Sequence, residues 1–186
     1  MSRCDDLGMR FITAMLCVSI ALGSADAQQQ LLLLHHSWWE SGAQSYSDCI
    51  EVESDGSYHF EHTPIFIGQP ERHKIHAGKF RDDEMNQLKE LLDDPALQSL
   101  TTPNPGNTGM TGTDVWWISI SRGDQTQRLW FASTSVPNVV PASRLPSINQ
   151  TSATKPLLSW YKQLSKRKDD IDKTATPTCS LKIQTR

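Results

Sequence analysis

The pattern of apolar and polar positions predicts a β-hairpin that begins at Cys49. Ile50 and Val52 alternate with acidic residues, which is the period of a strand with one buried face. Asp55-Gly56 then favours a turn, after which the alternation resumes. A further extended stretch is predicted over 73–80, so this part of the chain supplies several neighbouring strands.

A second hairpin is predicted around Gly123-Asp124. The residues on either side, 115–122 and 126–132, form alternating apolar runs. In the first run Trp116 and Trp117 are neighbours and must point to opposite faces of the sheet. We therefore expect both faces of this strand to be covered near its start.

Two helices are predicted, each with a start signal followed by apolar residues at helical spacing. The first begins at the carboxylates Asp82-Asp83-Glu84 and stops at Asp94-Pro95. The second has Pro156 in its first turn and Lys166-Arg167-Lys168 at its C-terminal end. The apolar stripes consist of Met85, Leu88, Leu91 and Leu92 in the first helix and Leu157, Trp160, Tyr161 and Leu164 in the second. An antiparallel sheet of about four or more strands with both helices on one face would bury these stripes, which predicts an α+β two-layer sandwich.

The N-terminal segment has the order of a secretory signal peptide. Arg3 and Arg10 precede an apolar run, and small residues ending in Ala27 provide a cleavage site after it. The run, from Phe11 to Gly23, is shorter than the about 20 residues that a membrane-crossing helix needs. We expect cleavage near Ala27 and export of the remainder to the periplasm or the extracellular space, with no membrane contact afterwards.

Composition divides the chain into a signal peptide, a leader, a domain and a tail. The signal peptide covers 1–27, and an irregular leader without sustained periodicity covers 28–47. The single α+β domain covers 48–168, and a polar C-terminal tail covers 169–186. The formal net charge of −3 gives no attraction for nucleic acid, and we expect a monomer.

The cysteines indicate a disulfide. Of the four in the chain, Cys4 and Cys17 would leave with the signal peptide. Cys49 and Cys179 would remain in a compartment that permits oxidation, and a bond between them is the natural hypothesis. The alternative is two unrelated thiols.

The histidines raise the question of a metal site, because all six fall between His35 and His76. The candidate ligands are His59, His62, His73 and His76. Each pair is three residues apart, and an odd separation in a strand sends side chains to opposite faces. Adjacent strands could still bring His59 beside His76, or His62 beside His73. Since zinc needs three or four convergent ligands, we expect solvated strand-surface histidines, no metal and no cofactor.

Catalytic signatures are absent from the sequence. There is no G-x-S-x-G, no H-E-x-x-H and no context for a reactive cysteine. Gly106, Gly109 and Gly112 lack the spacing of a phosphate-binding loop, and a strand follows them. We therefore expect a protein that is not an enzyme.

A surplus of tryptophan beside a glycine-rich loop indicates a contact surface. The loop, 101–114, is rich in glycine, proline and threonine. The candidate surface residues are Thr108, Met110, Thr111, Trp116 and Trp117. The alternative is that the rings belong to the core.

The order of parts resembles that of small exported bacterial domains that include the metalloprotease inhibitor emfourin. The similarity spans Cys49 to Leu164 and lies in the segments IEVESDGSYHF, HAGKFRDDEMNQLKELLDDPALQSL, DVWWISISRGDQTQRLWF and PLLSWYKQL. The glycine-rich segment of those inhibitors is replaced here by Tyr46-Ser47-Asp48-Cys49, so no functional residue is carried over. The resemblance implies a small α+β fold and a protein that inhibits a protease.

These observations lead to two functional hypotheses. The first is an exported, non-enzymatic domain that binds another macromolecule, with a protein, such as a protease, as the partner. The second is a histidine-dependent metal-binding or hydrolytic domain.

Overall fold

A six-stranded antiparallel sheet forms the framework of the domain. The computed structural model describes residues 29–39, 44–66, 68–70, 72–104, 114–133, 145–167 and 176–179. The strands are β1 (Gln30–Trp39), β2 (Gln44–Glu53), β3 (Ser57–Phe66), β4 (Lys74–Lys79), β5 (Asp114–Arg122) and β6 (Gln125–Ser133). Their order across the sheet is β4-β3-β2-β1-β5-β6, and every neighbouring pair is antiparallel.

Helices α1 (Asp82–Leu92), α2 (Pro95–Gln98) and α3 (Lys155–Leu164) accompany the sheet. The backbone N–H of Arg81 donates to the Glu84 carboxylate at 3.0 Å, which helps to begin α1. The Asp94 side chain accepts from the N–H of Ala96 at 2.8 Å and caps α2. Both predicted helices are confirmed.

The main core lies between one face of the sheet and the helices. We call this face the helix-covered face. The buried strand residues on it include Leu34, Ile50, Phe60, Ile118 and Leu129, and the buried helix residues include Met85, Leu88, Leu92, Leu157 and Leu164. The α+β prediction with an antiparallel sheet and two helices on one face is therefore confirmed.

Both predicted hairpins are present, and a glycine with positive φ lies in each turn. Gly56 has φ 85° between β2 and β3, and Gly123 has φ 63° between β5 and β6. A side chain other than glycine is strained in that region. Local turn chemistry therefore fixes the register of each hairpin.

The prediction that 28–47 is an irregular leader is wrong. Gln30–Trp39 forms β1, which pairs with β2 on one side and with β5 on the other. Leu32 and Leu34 are buried in the main core, whereas Leu33 is buried on the opposite face. A strand covered on both faces has a continuous apolar run and no alternation, which explains why no period was visible.

The opposite face of the sheet is held by the predicted disulfide. Cys49 on β2 is bonded to Cys179, with a Cα–Cα distance of 5.8 Å. Both cysteines and Leu33 form a small buried cluster. A second cluster on this face contains Val115, Ala132 and Leu145. The disulfide is thus confirmed, and it attaches the segment 176–179 to the sheet.

The predicted signal peptide, with its cleavage site at Ala27, lies outside the described residues. Within those residues, no helix has the length and apolar character needed to cross a membrane.

Candidate functional site

One end of the helix-covered face carries polar side chains in place of apolar ones. On β1, His36 lies opposite Asp48 of β2 and opposite Trp116 of β5. Asp48 in turn lies opposite His62 of β3. These residues form one row across four adjacent strands, and Tyr161 of α3 contacts the row from above.

A chain of hydrogen bonds begins at His62. Its Nδ1 is 2.5 Å from Oδ1 of Asp48, which is 3% exposed. The Tyr161 hydroxyl donates to the second carboxylate oxygen, Oδ2, of Asp48. Both oxygens of Asp48 are therefore engaged by side chains of the domain.

The chain continues from Tyr161 to β5. His36 Nδ1 is 3.0 Å from the Tyr161 hydroxyl oxygen, and His36 Nε2 is 2.8 Å from Oδ1 of Asp114. The indole N–H of Trp116 donates to the same Asp114 oxygen at 2.6 Å. The His36 ring stacks on Trp116 with a centroid distance of 3.8 Å and an interplanar angle of 14°. We call the series His62, Asp48, Tyr161, His36 and Asp114 the polar chain.

The Tyr161 hydroxyl joins the two halves of the polar chain. Tyr161 has a single hydroxyl proton, which it donates to Asp48. Its oxygen can then only accept from His36 Nδ1, while His36 Nε2 faces a carboxylate that also needs a donor. The Nδ1 contact is a hydrogen bond when His36 carries a proton on Nδ1, and the Nε2 contact is one when His36 carries a proton on Nε2.

Burial keeps the Tyr161 hydroxyl, at the centre of the polar chain, protonated. Tyr161 is 6% exposed. Burial, and then the negative charge of Asp48, raise the pKa of the Tyr161 hydroxyl far above its usual value. The same two causes raise the pKa of Tyr46, which lies in the neighbouring row of the sheet. Tyr161 therefore acts as a hydrogen-bond donor and not as a phenolate.

An open cleft of about 800 Å³ lies over the polar chain. Rings of Trp38, Tyr46 and Phe60 contribute to its wall. His62 also lines it, with 33% of its side chain exposed. Within the described part of the chain, His62 Nε2 has no hydrogen-bond partner, since only Nδ1 is bonded. The cleft thus combines apolar rings with a nitrogen, Nε2 of His62, that can form a hydrogen bond with a ligand.

On the opposite face of the sheet, His35 is held neutral. Its Nε2 lies 2.8 Å from the Ser47 hydroxyl, and its ring lies 4.9 Å from that of Trp117. Burial, and then the neighbouring His36, lower the pKa of His35 to about 4. His35 therefore contributes packing and not charge at neutral pH.

Glu61 anchors the C-terminal segment to this opposite face. It is 1% exposed, and its Oε1 accepts from the backbone N–H groups of Thr178 and Cys179 at 2.5 and 2.7 Å. The same oxygen is 2.7 Å from His59 Nε2. This carboxylate has a structural role, because its contacts join β3 to the disulfide-bonded segment.

The predicted contact surface is divided by the fold. Trp116 is 5% exposed and belongs to the main core, below the cleft. Trp117 is half-buried on the opposite face, beside Val115. Thr108, Met110 and Thr111 lie outside the described residues.

The four candidate metal ligands do not converge. His59 lies opposite Ala77, and His62 lies opposite Lys74, so neither of the cross-strand histidine pairs considered above forms. His73 Nδ1 instead lies 2.9 Å from the Thr63 hydroxyl. Among the residues that the structure describes, no group of three or more His, Cys, Asp or Glu side chains could hold a metal ion.

The sequence reasoning did not single out four residues that line the cleft, namely Tyr46, Asp48, His36 and Asp114. A signal for them exists in the alternation of the strands. On β2, Tyr46 and Asp48 continue the face of Ile50 and Val52. On β1, His36 likewise continues the face of Leu34. Polar residues that prolong the apolar face of neighbouring strands at the same end predict a polar site at that end.

Comparison with known proteins adds no relative: no protein-family model and no curated protein sequence matches the chain. The functional argument therefore rests on the geometry of the cleft.

Proposed function

We propose that the chain is an exported, non-enzymatic binding domain whose cleft receives a segment of a partner protein. The observation that supports this most is the open cleft of about 800 Å³ over the polar chain. Rings with a few convergent polar groups are typical of binding sites. The floor is rigid, because the buried Asp48 and His36 are each engaged at both ends.

Export is supported by the disulfide together with the signal-like N-terminal segment. Cys49 and Cys179 are 1% and 0% exposed. Such bonds persist in oxidising compartments and are rare in the cytosol. Detection of the precursor with its N-terminal segment intact in cytosolic extract would contradict this part of the proposal.

The inhibitor version of the proposal is tested with secreted metalloproteases. The mature protein is incubated in molar excess with a panel of these enzymes, and residual proteolysis is measured. Inhibition of one member is expected. Full residual activity throughout the panel would remove the inhibitor version.

The location of the binding site is tested with two tryptophan variants. A partner isolated from the native envelope or medium is identified, purified and titrated against the wild type, Trp38→Ala and Trp117→Ala by calorimetry. Trp38 lines the cleft, whereas Trp117 lies on the opposite face, so only Trp38→Ala is expected to weaken binding, by about tenfold or more. The reverse ranking would place the binding site on the opposite face.

A hydrolytic function is the second candidate, and the pair of Asp48 and His62 is the observation that favours it. A carboxylate bonded to Nδ1 orients the imidazole and leaves Nε2 free to accept a proton. A panel of chromogenic esters, phosphodiesters and peptides tests this candidate, with His62→Gln as the inactive control. Turnover that is equal in wild type and His62→Gln would rule out His62 as the base.

A further inference from the structure

We infer that the cleft binds a carboxylate, so that the recognised segment of the partner protein is acidic. This inference rests on the proposed binding function and adds the chemical class of the ligand. It follows from which charged groups of the cleft are already hydrogen-bonded or ion-paired within the domain and which are not.

The two carboxylates of the cleft accept hydrogen bonds within the domain. Asp48 accepts from Tyr161 and contacts His62 Nδ1. Asp114 accepts from the Trp116 indole N–H and contacts His36 Nε2. Both carboxylates therefore already have side-chain partners within the domain.

Two lysines of the cleft have no partner among the described residues. Lys74 and Lys162 line the cleft, and both are exposed. Neither has an ion pair or a side-chain hydrogen bond within the described ranges. Lys74 comes from the edge strand β4, and Lys162 comes from α3, so the two cations approach the cleft from different elements.

Lys74 is the cross-strand neighbour of His62. The two residues are directly opposite each other in the β3–β4 pair and share the helix-covered face. Side chains in such a pair have Cβ atoms about 5 Å apart. A ligand group that pairs with Lys74 therefore lies next to the His62 ring, which lines the same cleft.

The third cation of the cleft is neutralised and serves as a contrast. Arg167 is paired with Glu84 of α1, and its guanidinium carbon lies 5.5 Å from the centroid of Phe80. This pair joins α1 to the segment after α3. The two lysines, in contrast, have no described acid to pair with, which matches a ligand that brings its own negative charge.

The test compares an acidic peptide with its neutral counterpart. Acetyl-Gly-Glu-Glu-Gly amide and acetyl-Gly-Gln-Gln-Gly amide are titrated into the ¹⁵N-labelled mature protein, and the indole N–H signal of Trp38 reports occupancy of the cleft. We expect the Glu peptide to shift this signal and the Gln peptide to leave it unchanged. Equal shifts with the two peptides, or no shift with the Glu peptide at millimolar concentration, would overturn the inference.

A matched pair of double variants isolates the two lysines. Lys74→Gln/Lys162→Gln removes both cleft cations, whereas Lys79→Gln/Lys155→Gln removes one exposed lysine from the same strand and one from the same helix, outside the cleft. The first variant is expected to bind the Glu peptide about tenfold more weakly, and the control to bind it as the wild type does. Equal affinity of the first variant and the wild type would overturn the inference. Inorganic phosphate that displaces the Glu peptide better than acetate does would overturn the carboxylate assignment.

The same variants separate this inference from the function on which it rests. If partner binding is weakened by Trp38→Ala but not by Lys74→Gln/Lys162→Gln, the cleft is the binding site and the acidic ligand is wrong. If Trp38→Ala does not weaken partner binding, the proposed function itself fails.

Discussion

Removal of the disulfide is expected to cause a large loss of stability. The suitable variant is Cys49→Ala/Cys179→Ala, because serine hydroxyls would be buried beside Leu33 without a defined partner. Both cysteines are replaced together, so that no free thiol is left to form intermolecular bonds. The variant keeps the sheet and the helices and releases the segment 176–179 from its covalent attachment.

The expected loss follows from the length of chain that the bond closes. The sequence separation of Cys49 and Cys179 is 130 residues. In the chain-entropy description, a bond that closes a loop of this length lowers the entropy of the unfolded state and thereby raises the free energy of unfolding by about 5 kcal/mol. With a urea dependence of about 2 kcal/mol per molar, the midpoint of unfolding should fall by more than about 2 M.

Urea unfolding followed by tryptophan fluorescence measures this change. The wild type in the presence of reductant, once equilibrated in the denatured state and refolded, serves as the matched control and should unfold at the midpoint of the variant. A loss below about 1 kcal/mol would refute the reasoning, because the entropy of a loop this long could not then govern the effect. Two titratable thiols in the denatured, unreduced mature protein, which lacks Cys4 and Cys17, would show that the bond is absent.

Three further changes have defined outcomes. Burial is the main reason why the pKa of His35 falls from its usual 6.5 to about 4 in the folded state, so the stability that neutral His35 confers is complete above pH 6.5 and is lost on acidification toward pH 4, by up to about 3 kcal/mol. In urea unfolding across this pH range, the wild type should lose its stability advantage over His35→Gln. Parallel curves of stability against pH for the two proteins would contradict this expectation. Tyr161→Phe removes the hydroxyl that joins the two halves of the polar chain and should lower the free energy of unfolding by about 1–3 kcal/mol in the same assay. The control is Tyr46→Phe, which should lower it by less than about 0.5 kcal/mol, because the Tyr46 hydroxyl has no hydrogen-bond partner in the described residues. Arg122→Met removes the 2.6 Å hydrogen bond to the Leu92 carbonyl at the end of α1 and should cost about 1–2 kcal/mol by thermal unfolding; an unchanged midpoint would show that water replaces the guanidinium.

The elements predicted correctly from the sequence are those with local signals. The β2–β3 hairpin has alternation on both sides of Asp55-Gly56, and Gly56 takes the positive φ that the turn needs. Helix α1 has acidic residues at its start, an apolar stripe and a following proline. Each of these signals lies within a few residues of the element that it specifies, so tertiary contacts are not needed to detect it.

The central strand β1 has no such local signal. Leu32 and Leu34 belong to the main core on the helix-covered face, while Leu33 belongs to the cluster of the disulfide on the opposite face. Burial of Leu33 depends on Cys179, which is far away in the sequence. When distant segments cover both faces of an apolar run, its sequence alone does not show that it forms a strand.

The hydrogen bonds that join the strands of the polar chain to Tyr161 could not be predicted from sequence spacing, because the partners lie far apart in the chain. His36 and Tyr161 are separated by 125 positions, and Asp48 and Tyr161 by 113. No motif spans such distances. The parity of His59 and His62 was predicted correctly, since they lie on opposite faces, but the pairing of His62 with Lys74 depends on the register of β3 and β4, which a single sequence does not specify.

The division of the helix-covered face into an apolar and a polar end indicates where function should be sought. At the apolar end, residues such as Ile50 and Ile118 fill a core with the helices, and burial of this surface stabilises the fold. At the polar end, His36 and Asp48 are buried at the cost of desolvation, which hydrogen bonds only offset. Apolar side chains at these positions would extend the core at lower cost, so stability alone does not account for the polar chain. Residues that break the rule for a core usually serve a site, and here they form the floor of the cleft.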